Sequence, residues 1–143
     1  MKKIGDFESG RYSFRTDPDV NIICGESNGK SELLSLIYDK AKEMGIRCEM
    51  LDVADFRFRK GESTTMQVYD AIIDSVKIND VVIIDLLCDL MHISRQNDII
   101  NDCLIENPDI QLFIVTNSPG MLMGGWEGRA VNIDTLKKKS NVK

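Results

Sequence analysis

Apolar positions along the chain fall into two alternating kinds of segment. Short continuous runs recur at Asn21–Cys24 (NIIC), Val81–Leu87 (VVIIDLL) and Gln111–Thr116 (QLFIVT), the pattern of strands covered on both faces. Between them apolar residues recur at helical spacing. Ser31–Met44 carries Leu33, Leu34, Ile37, Ala41 and Met44 on one face, and Gly45 is its stop. Ser63–Lys77 carries Met66, Tyr69, Ile72, Ile73 and Val76 in the same way. A third helix, capped by Ser94 and running to about Glu106, buries Ile99, Ile100, Cys103 and Leu104. Weaker patterns predict a strand over Arg47–Val53, an early one over Arg11–Arg15 before the turn Asp17-Pro18-Asp19, and a short last one over Ala130–Ile133.

Strands that alternate with helices predict an α/β fold, a mainly parallel sheet between two helical layers. At 143 residues the chain is one domain, 1–143, with a core over about 21–133. No repeat or low-complexity tract divides it, and the tail from Lys137-Lys138-Lys139 is expected to fray. The apolar fraction of 43% and charged fraction of 29% are those of a globular protein. A net charge of −5 argues against a broad nucleic-acid or anionic-membrane surface, so neither partner is indicated. No apolar run approaches a bilayer span, and Met1-Lys2-Lys3 leads into polar residues rather than a secretory leader. Cys24, Cys48, Cys88 and Cys103 stand singly, and with one His they make no zinc pattern. Reduced, buried thiols in a cytoplasmic protein are the expectation.

Chemistry enters at Asn21–Leu34, NIICGESNGKSELL. A strand runs into a Gly-Lys-Ser turn and then a helix. Such a turn exposes backbone N–H groups beside the positive end of the helix dipole, and Lys30 adds a full charge. The phosphates of a nucleotide fit there, with the Ser31 hydroxyl placed to hold Mg²⁺. The P-loop pattern asks for Gly, four residues, then Gly-Lys-Ser/Thr. Counting back from Gly29 puts Cys24 at the first Gly, and Gly25 one place late. The expected fold is therefore a P-loop NTPase-like three-layer sandwich, with Cys24, Gly25, Asn28, Gly29, Lys30 and Ser31 around ATP. Parallel strands bring the end of the Val81–Leu87 run to the same sheet edge, so Asp85 is the expected second Mg²⁺ holder, through water. The alternative for Asp85 is a strand-end carboxylate capping a turn. Tyr12 and Phe14 either stack on an adenine or form a plain strand.

With these residues in place, the chain resembles the ABC-type ATPases, of the soluble kind found in chromosome maintenance, recombination and phage defence. Members carry a Ser-x-Gly-Glu signature, a helix, an Asp-Glu strand end, a His-x-x-x-Gln-like run and a Thr-His-Ser-Pro switch. Here Arg59-Lys60-Gly61-Glu62 precedes the helix, and the strand ends at Asp85. His92 and Gln96 follow, and then NPDIQLFIVTNSP over Asn107–Pro119. The likeness covers about Asn21–Ile133. It implies that Asn117 sits near the γ-phosphate in place of the switch His. The link between the P-loop helix and Arg59 is short, where family members insert a lobe or coiled-coil arm.

The departures fall on hydrolysis. Leu86 stands where the family has the Glu that polarises the attacking water, and leucine has no acceptor. Asn117 can hydrogen-bond but carries no charge. Arg59 replaces the signature Ser; it acts in trans on another subunit's γ-phosphate or is a solvated charge in the RFRK run. His92 reads as a turn or helix-start residue. Met121, Met123 and Trp126 form an exposed partner patch or pack on the core. The leading reading is an ATP- and Mg²⁺-binding domain with impaired or absent hydrolysis, a regulatory or assembly subunit with a protein partner. A second is an active small ATPase of another P-loop class, helicase-loader-like, whose catalytic acid is Asp52 or Asp89. A third is an interaction module that keeps the fold without the nucleotide.

Overall fold

A computed structural model describes residues 2–25, 29–52, 64–86, 93–116 and 126–138. A small antiparallel hairpin comes first, β1 (Phe7–Ser9) and β2 (Tyr12–Phe14), with Gly10 at φ +55° in its turn. The main body follows in the order β3 (Val20–Cys24), α1 (Lys30–Glu43), β4 (Cys48–Asp52), α2 (Thr64–Ile78), β5 (Val81–Leu86), α3 (Ile93–Glu106), β6 (Gln111–Thr116) and β7 (Ala130–Asn132). Single-turn 3₁₀ segments at Trp126–Arg129 and Ile133–Leu136 flank β7. The five main strands form one parallel sheet in the spatial order β4-β5-β6-β3-β7.

Period-2 alternation splits the core into two layers. Val20, Ile22, Val82, Ile84, Leu112 and Ile114 face a cluster with Ile72, Val76, Ile99 and Cys103 from α2 and α3. Ile23, Val81, Ile83, Phe113 and Val115 face the other way, onto Leu33, Leu34 and Ile37 of α1 and onto Ile4, Phe7 and Tyr12. This is the predicted α/β sandwich.

The packed core reaches beyond 21–133, since Ile4, Phe7, Tyr12 and Leu136 are all buried. Lys137 and Lys138, expected to fray, are held. Lys137 bridges antiparallel to Tyr12, and Lys138 N donates to Arg11 O at 2.7 Å. Met44, expected on the buried face of α1, is the helix C-cap and is exposed. The helix stops there because Gly45, at φ +74°, turns the chain. Gly45 N donates to Lys42 O and Ile46 N to Ala41 O, the paired bonds of a Schellman end. Helix α3 begins at Ile93, one residue before Ser94, whose side chain lies outside the described residues.

Polar residues inside the strands are satisfied locally. Asn21 Nδ2 donates to Asp17 O and Leu112 O, and its Oδ1 accepts from Asp17 N. Asp80, at the foot of β5, accepts from the backbone and guanidinium of Arg47. Burial raises the Asp80 carboxyl, but those hydrogen bonds and the Arg47 charge outweigh it and hold the group below the usual carboxylate range.

Candidate functional site

The C-terminal ends of parallel strands all lie at one edge of the sheet, where open α/β folds bind ligands. β3 delivers the chain there through four buried residues and then the half-buried Cys24. Gly25 follows at φ +122°, a conformation side-chain-bearing residues avoid. The place that the P-loop pattern gives to its first glycine is thus taken by Cys24, while Gly25 supplies the backbone freedom. Gly29 is the N-cap of α1 and brings no capping side chain. Lys30 opens the helix and is 7% exposed, whereas Ser31 is exposed. Asn28 and Asn117 lie outside the described residues.

Alternation then selects what faces α1. Cys48, Met50 and Asp52 share one face of β4, and Val81, Ile83 and Asp85 share the same face of β5. Asp52 and Asp85 are register partners on these adjacent strands. A cavity of about 330 Å³ lies between them and α1, lined by Ser31, Leu34, Ser35, Met50, Asp52 and Asp85. The fold thus brings together Ser31 and Asp85, which lie on different elements, and adds Asp52. Strand pairing, invisible in sequence spacing, is what placed Asp52 beside Asp85.

A hydroxyl and two carboxylates are hard oxygen donors of the kind Mg²⁺ takes. No group of three or more His, Cys, Asp and Glu side chains suited to a metal occurs among the described residues. Mg²⁺ does not need one, because it keeps waters and is bound through one or two carboxylates plus substrate phosphates. Ser31 and Asp85 therefore fit the ion. Bound there, it would neutralise charge on the phosphates. A larger groove of about 510 Å³ runs along the β4 edge past Tyr38, Cys48, Glu49, Met50, Ile78 and Asn79, but Lys30, Ser31 and Asp85 do not line it.

Tyr12 does not stack on a base. Its ring is fully buried, and its hydroxyl donates to Gly29 O at 2.9 Å. Phe14 packs on Phe7, ring centroids 5.2 Å apart. Of the described thiols, expected to be buried, Cys48 and Cys103 are and Cys24 is half-buried. Cys24, Cys48 and Cys103 are free, the last two buried, and burial pushes Cys48 up to about 11 and Cys103 up to about 12. Trp126 packs against the α2–α3 cluster and donates through Nε1 to Asn101 Oδ1 at 3.1 Å. Cys88, Asp89, Arg59–Glu62, His92, Met121 and Met123 lie outside the described residues, as do the side chains of Leu86, Ser94 and Gln96.

Neither a protein-family profile nor a curated protein matches the chain. Solved structures do match. One is the crystal structure of a DNA replication initiation factor, 19% identical with a TM-score of 0.54 over 80% of this chain and 39% of that one. The fold is the α/β sandwich of P-loop NTPase-like proteins. A second neighbour is the replication initiator DnaA bound to AMPPCP and single-stranded DNA, 19% identical, with a TM-score of 0.53 over 80% of this chain and 40% of that one. A third is AMPPCP-bound DnaA from Aquifex aeolicus, 20% identical, with a TM-score of 0.52 over 80% and 39%. The chain spans about two-fifths of the length of these structures. No helix among the described residues is long and apolar enough to cross a membrane.

Proposed function

We propose that the chain binds a nucleoside triphosphate, ATP, with Mg²⁺ at the β3–α1 turn. In this reading it hydrolyses the nucleotide slowly or not at all and serves as a regulatory or assembly subunit for a protein partner. The observation that carries the reading is the convergence of Ser31 and Asp85 on one cavity, directly beside buried Lys30 at the start of α1. The AMPPCP bound to two of the fold neighbours supports the same ligand class. Slow turnover is argued from Leu86, which directly follows Asp85 and offers no acceptor to orient a water. A missing general base alone is worth about 10²–10⁴-fold in rate. The ABC-type relationship stays part of this proposal and rests on the order of residues 59–62, 85, 92–96 and 107–119. With a net charge of −5, nucleic-acid contact is not part of it.

One observation favours the second reading. Asp52 lines the same cavity as Ser31 and Asp85, so an acid is available from β4 although Leu86 is not one. An active ATPase of the helicase-loader-like kind would use Asp52 as the carboxylate that polarises water. The fold likeness to replication initiators is consistent with that class. A phosphate-release assay separates the two. Under the leading reading, turnover is at background and Leu86→Glu raises it. Steady turnover in the wild type, lost in Asp52→Asn, would replace the leading reading with the second.

A further inference from the structure

The phosphate turn is bounded by two glycines, and each is covered by a side chain from outside the β3–α1 unit. At the N-terminal side, a Cβ added to Gly25 would stand 3.1 Å from both Nδ2 and Oδ1 of Asn132. Asn132 is itself fixed, since its Oδ1 accepts from Asp134 N at 2.9 Å. At the C-terminal side the contact is closer. A Cβ added to Gly29 would fall 2.1 Å from the Tyr12 hydroxyl oxygen, far inside contact distance. Yet Gly29 has φ −95° and ψ 1°, a negative-φ backbone that residues with side chains also adopt. Gly29 is therefore required by Tyr12, not by its own backbone.

Tyr12 is held from several sides. Its ring is fully buried, and its strand bridges to Lys137. The neighbouring Arg11 lies over the ring at 5.6 Å and pairs with Glu32, in the first turn of α1, at 2.7 Å. Segments from the two ends of the described chain, the β1–β2 hairpin and the stretch from β7 to Lys138, thus pair with each other and reach Gly29 and Gly25. We propose that Tyr12 and Asn132 are positioning residues, which brace the phosphate turn at Gly29 and Gly25 and so set the affinity of the β3–α1 site for nucleotide phosphates. This rests on the nucleotide-binding reading above. Backbone N–H groups recognise phosphate only when they converge, so a turn free to drift loses affinity without losing a ligand-contacting side chain. The coupling is reciprocal, so bound nucleotide strengthens docking of the hairpin by the same factor.

Tyr12→Phe is a clean perturbation. Gly29 O also accepts from Leu33 N at 2.9 Å, so losing the hydroxyl leaves no orphaned carbonyl. Removing it also opens the space that a methyl at Gly29 needs, the next atoms being a flexible Arg11 nitrogen at 3.0 Å and the Tyr12 ring carbon at 3.4 Å. The experiment combines calorimetric titration with Mg-ATP and a thermal-melting cycle over wild type, Gly29→Ala, Tyr12→Phe and the double variant. Expected is a Kd about three- to tenfold weaker in Tyr12→Phe, the worth of one hydrogen bond. Ile72→Val, on the opposite face of the sheet, lowers the melting temperature and leaves the Kd unchanged. Gly29→Ala melts several degrees lower in the wild-type background and is near neutral in Tyr12→Phe. A wild type that binds Mg-ATP with a Kd equal to that of Tyr12→Phe would overturn the inference and leave the nucleotide reading standing. A wild type that does not bind removes that reading and the affinity role with it. Additive melting shifts overturn the Tyr12–Gly29 brace whether or not nucleotide binds.

Discussion

Replacing Gln111 by leucine should loosen the whole N-terminal segment that carries Tyr12. Gln111 opens β6 and is fully buried. Its Nε2 donates to Ile4 O at 2.9 Å and Asp17 O at 2.8 Å, and its Oε1 accepts from Ile4 N at 2.7 Å. One side chain thus ties both ends of the hairpin segment to the sheet. In Gln111→Leu both freed carbonyls keep a partner, Ile4 O from the Thr16 hydroxyl and Asp17 O from Asn21 Nδ2. Ile4 N loses its acceptor. A buried N–H left unsatisfied costs about 1–3 kcal/mol, and each of the two remaining lost bonds about 0.5–1 kcal/mol. The apolar surface of leucine offsets about 1 kcal/mol of this, leaving a net loss of about 1–4 kcal/mol. For a chain of 143 residues the unfolding entropy is about 0.3 kcal/mol/K, so the melting temperature should fall by about 3–13 °C. Urea denaturation with both proteins side by side reads the same loss as a lower midpoint at unchanged slope. A midpoint equal to that of the wild type would refute the claim that Gln111 anchors the segment.

Two further outcomes follow from the site and the core. Asp85→Asn should remove the Mg²⁺ dependence of nucleotide affinity while leaving the metal-free affinity close to that of the wild type; an unchanged Mg²⁺ dependence in calorimetry would remove Asp85 from the metal site. Burial raises the Cys103 thiol from 9.0 to about 12, so the folded chain keeps a proton that the unfolded chain releases. That contribution is complete below about pH 9 and is lost as pH rises towards about 12, so melting temperature should fall with pH over that window and fall less steeply in Cys103→Val. Parallel slopes for the two proteins would contradict the assignment.

The main sheet and the three helices were legible because their residues carry the pattern themselves. Val81–Leu86 and Gln111–Thr116 are runs that only a doubly covered strand explains, and Leu33, Leu34, Ile37 and Ala41 mark one helical face. Lys30 and Ser31 were named from motif spacing, and Asp85 from its place at the end of a buried strand expected to lie parallel to β3. β1 was not legible. Three residues, Phe7–Ser9, are too few for a periodic signal, and Phe7 is buried through its pairing with Phe14 across the hairpin. The role of Tyr12 was hidden for a related reason, since its partner Gly29 is 17 residues away and is reached only through the fold. Asp52 entered the cavity through strand register, which spacing does not encode. Gln111 carried no signal of its own, because a buried amide is explained only by the backbone groups brought to it. The Arg59–Glu62 run and Asn117 lie outside the described residues, so the parts of the ABC-type resemblance that rest on them have no structural counterpart here.

The central claim is that the turn beginning at Gly25 and ending at Lys30 holds the phosphates of a nucleotide. Isothermal calorimetry of the purified chain with Mg-ATP, run in parallel on wild type and Lys30→Ala, tests it most directly. Lys30 is the cation that the fold fixes at the start of α1, buried at 7% exposure. The account predicts saturable binding by the wild type with one nucleotide per chain, and none measurable for Lys30→Ala in a variant that still melts cooperatively. Equal affinities, or no binding by the wild type at millimolar nucleotide, would contradict it and leave a P-loop fold without a P-loop function.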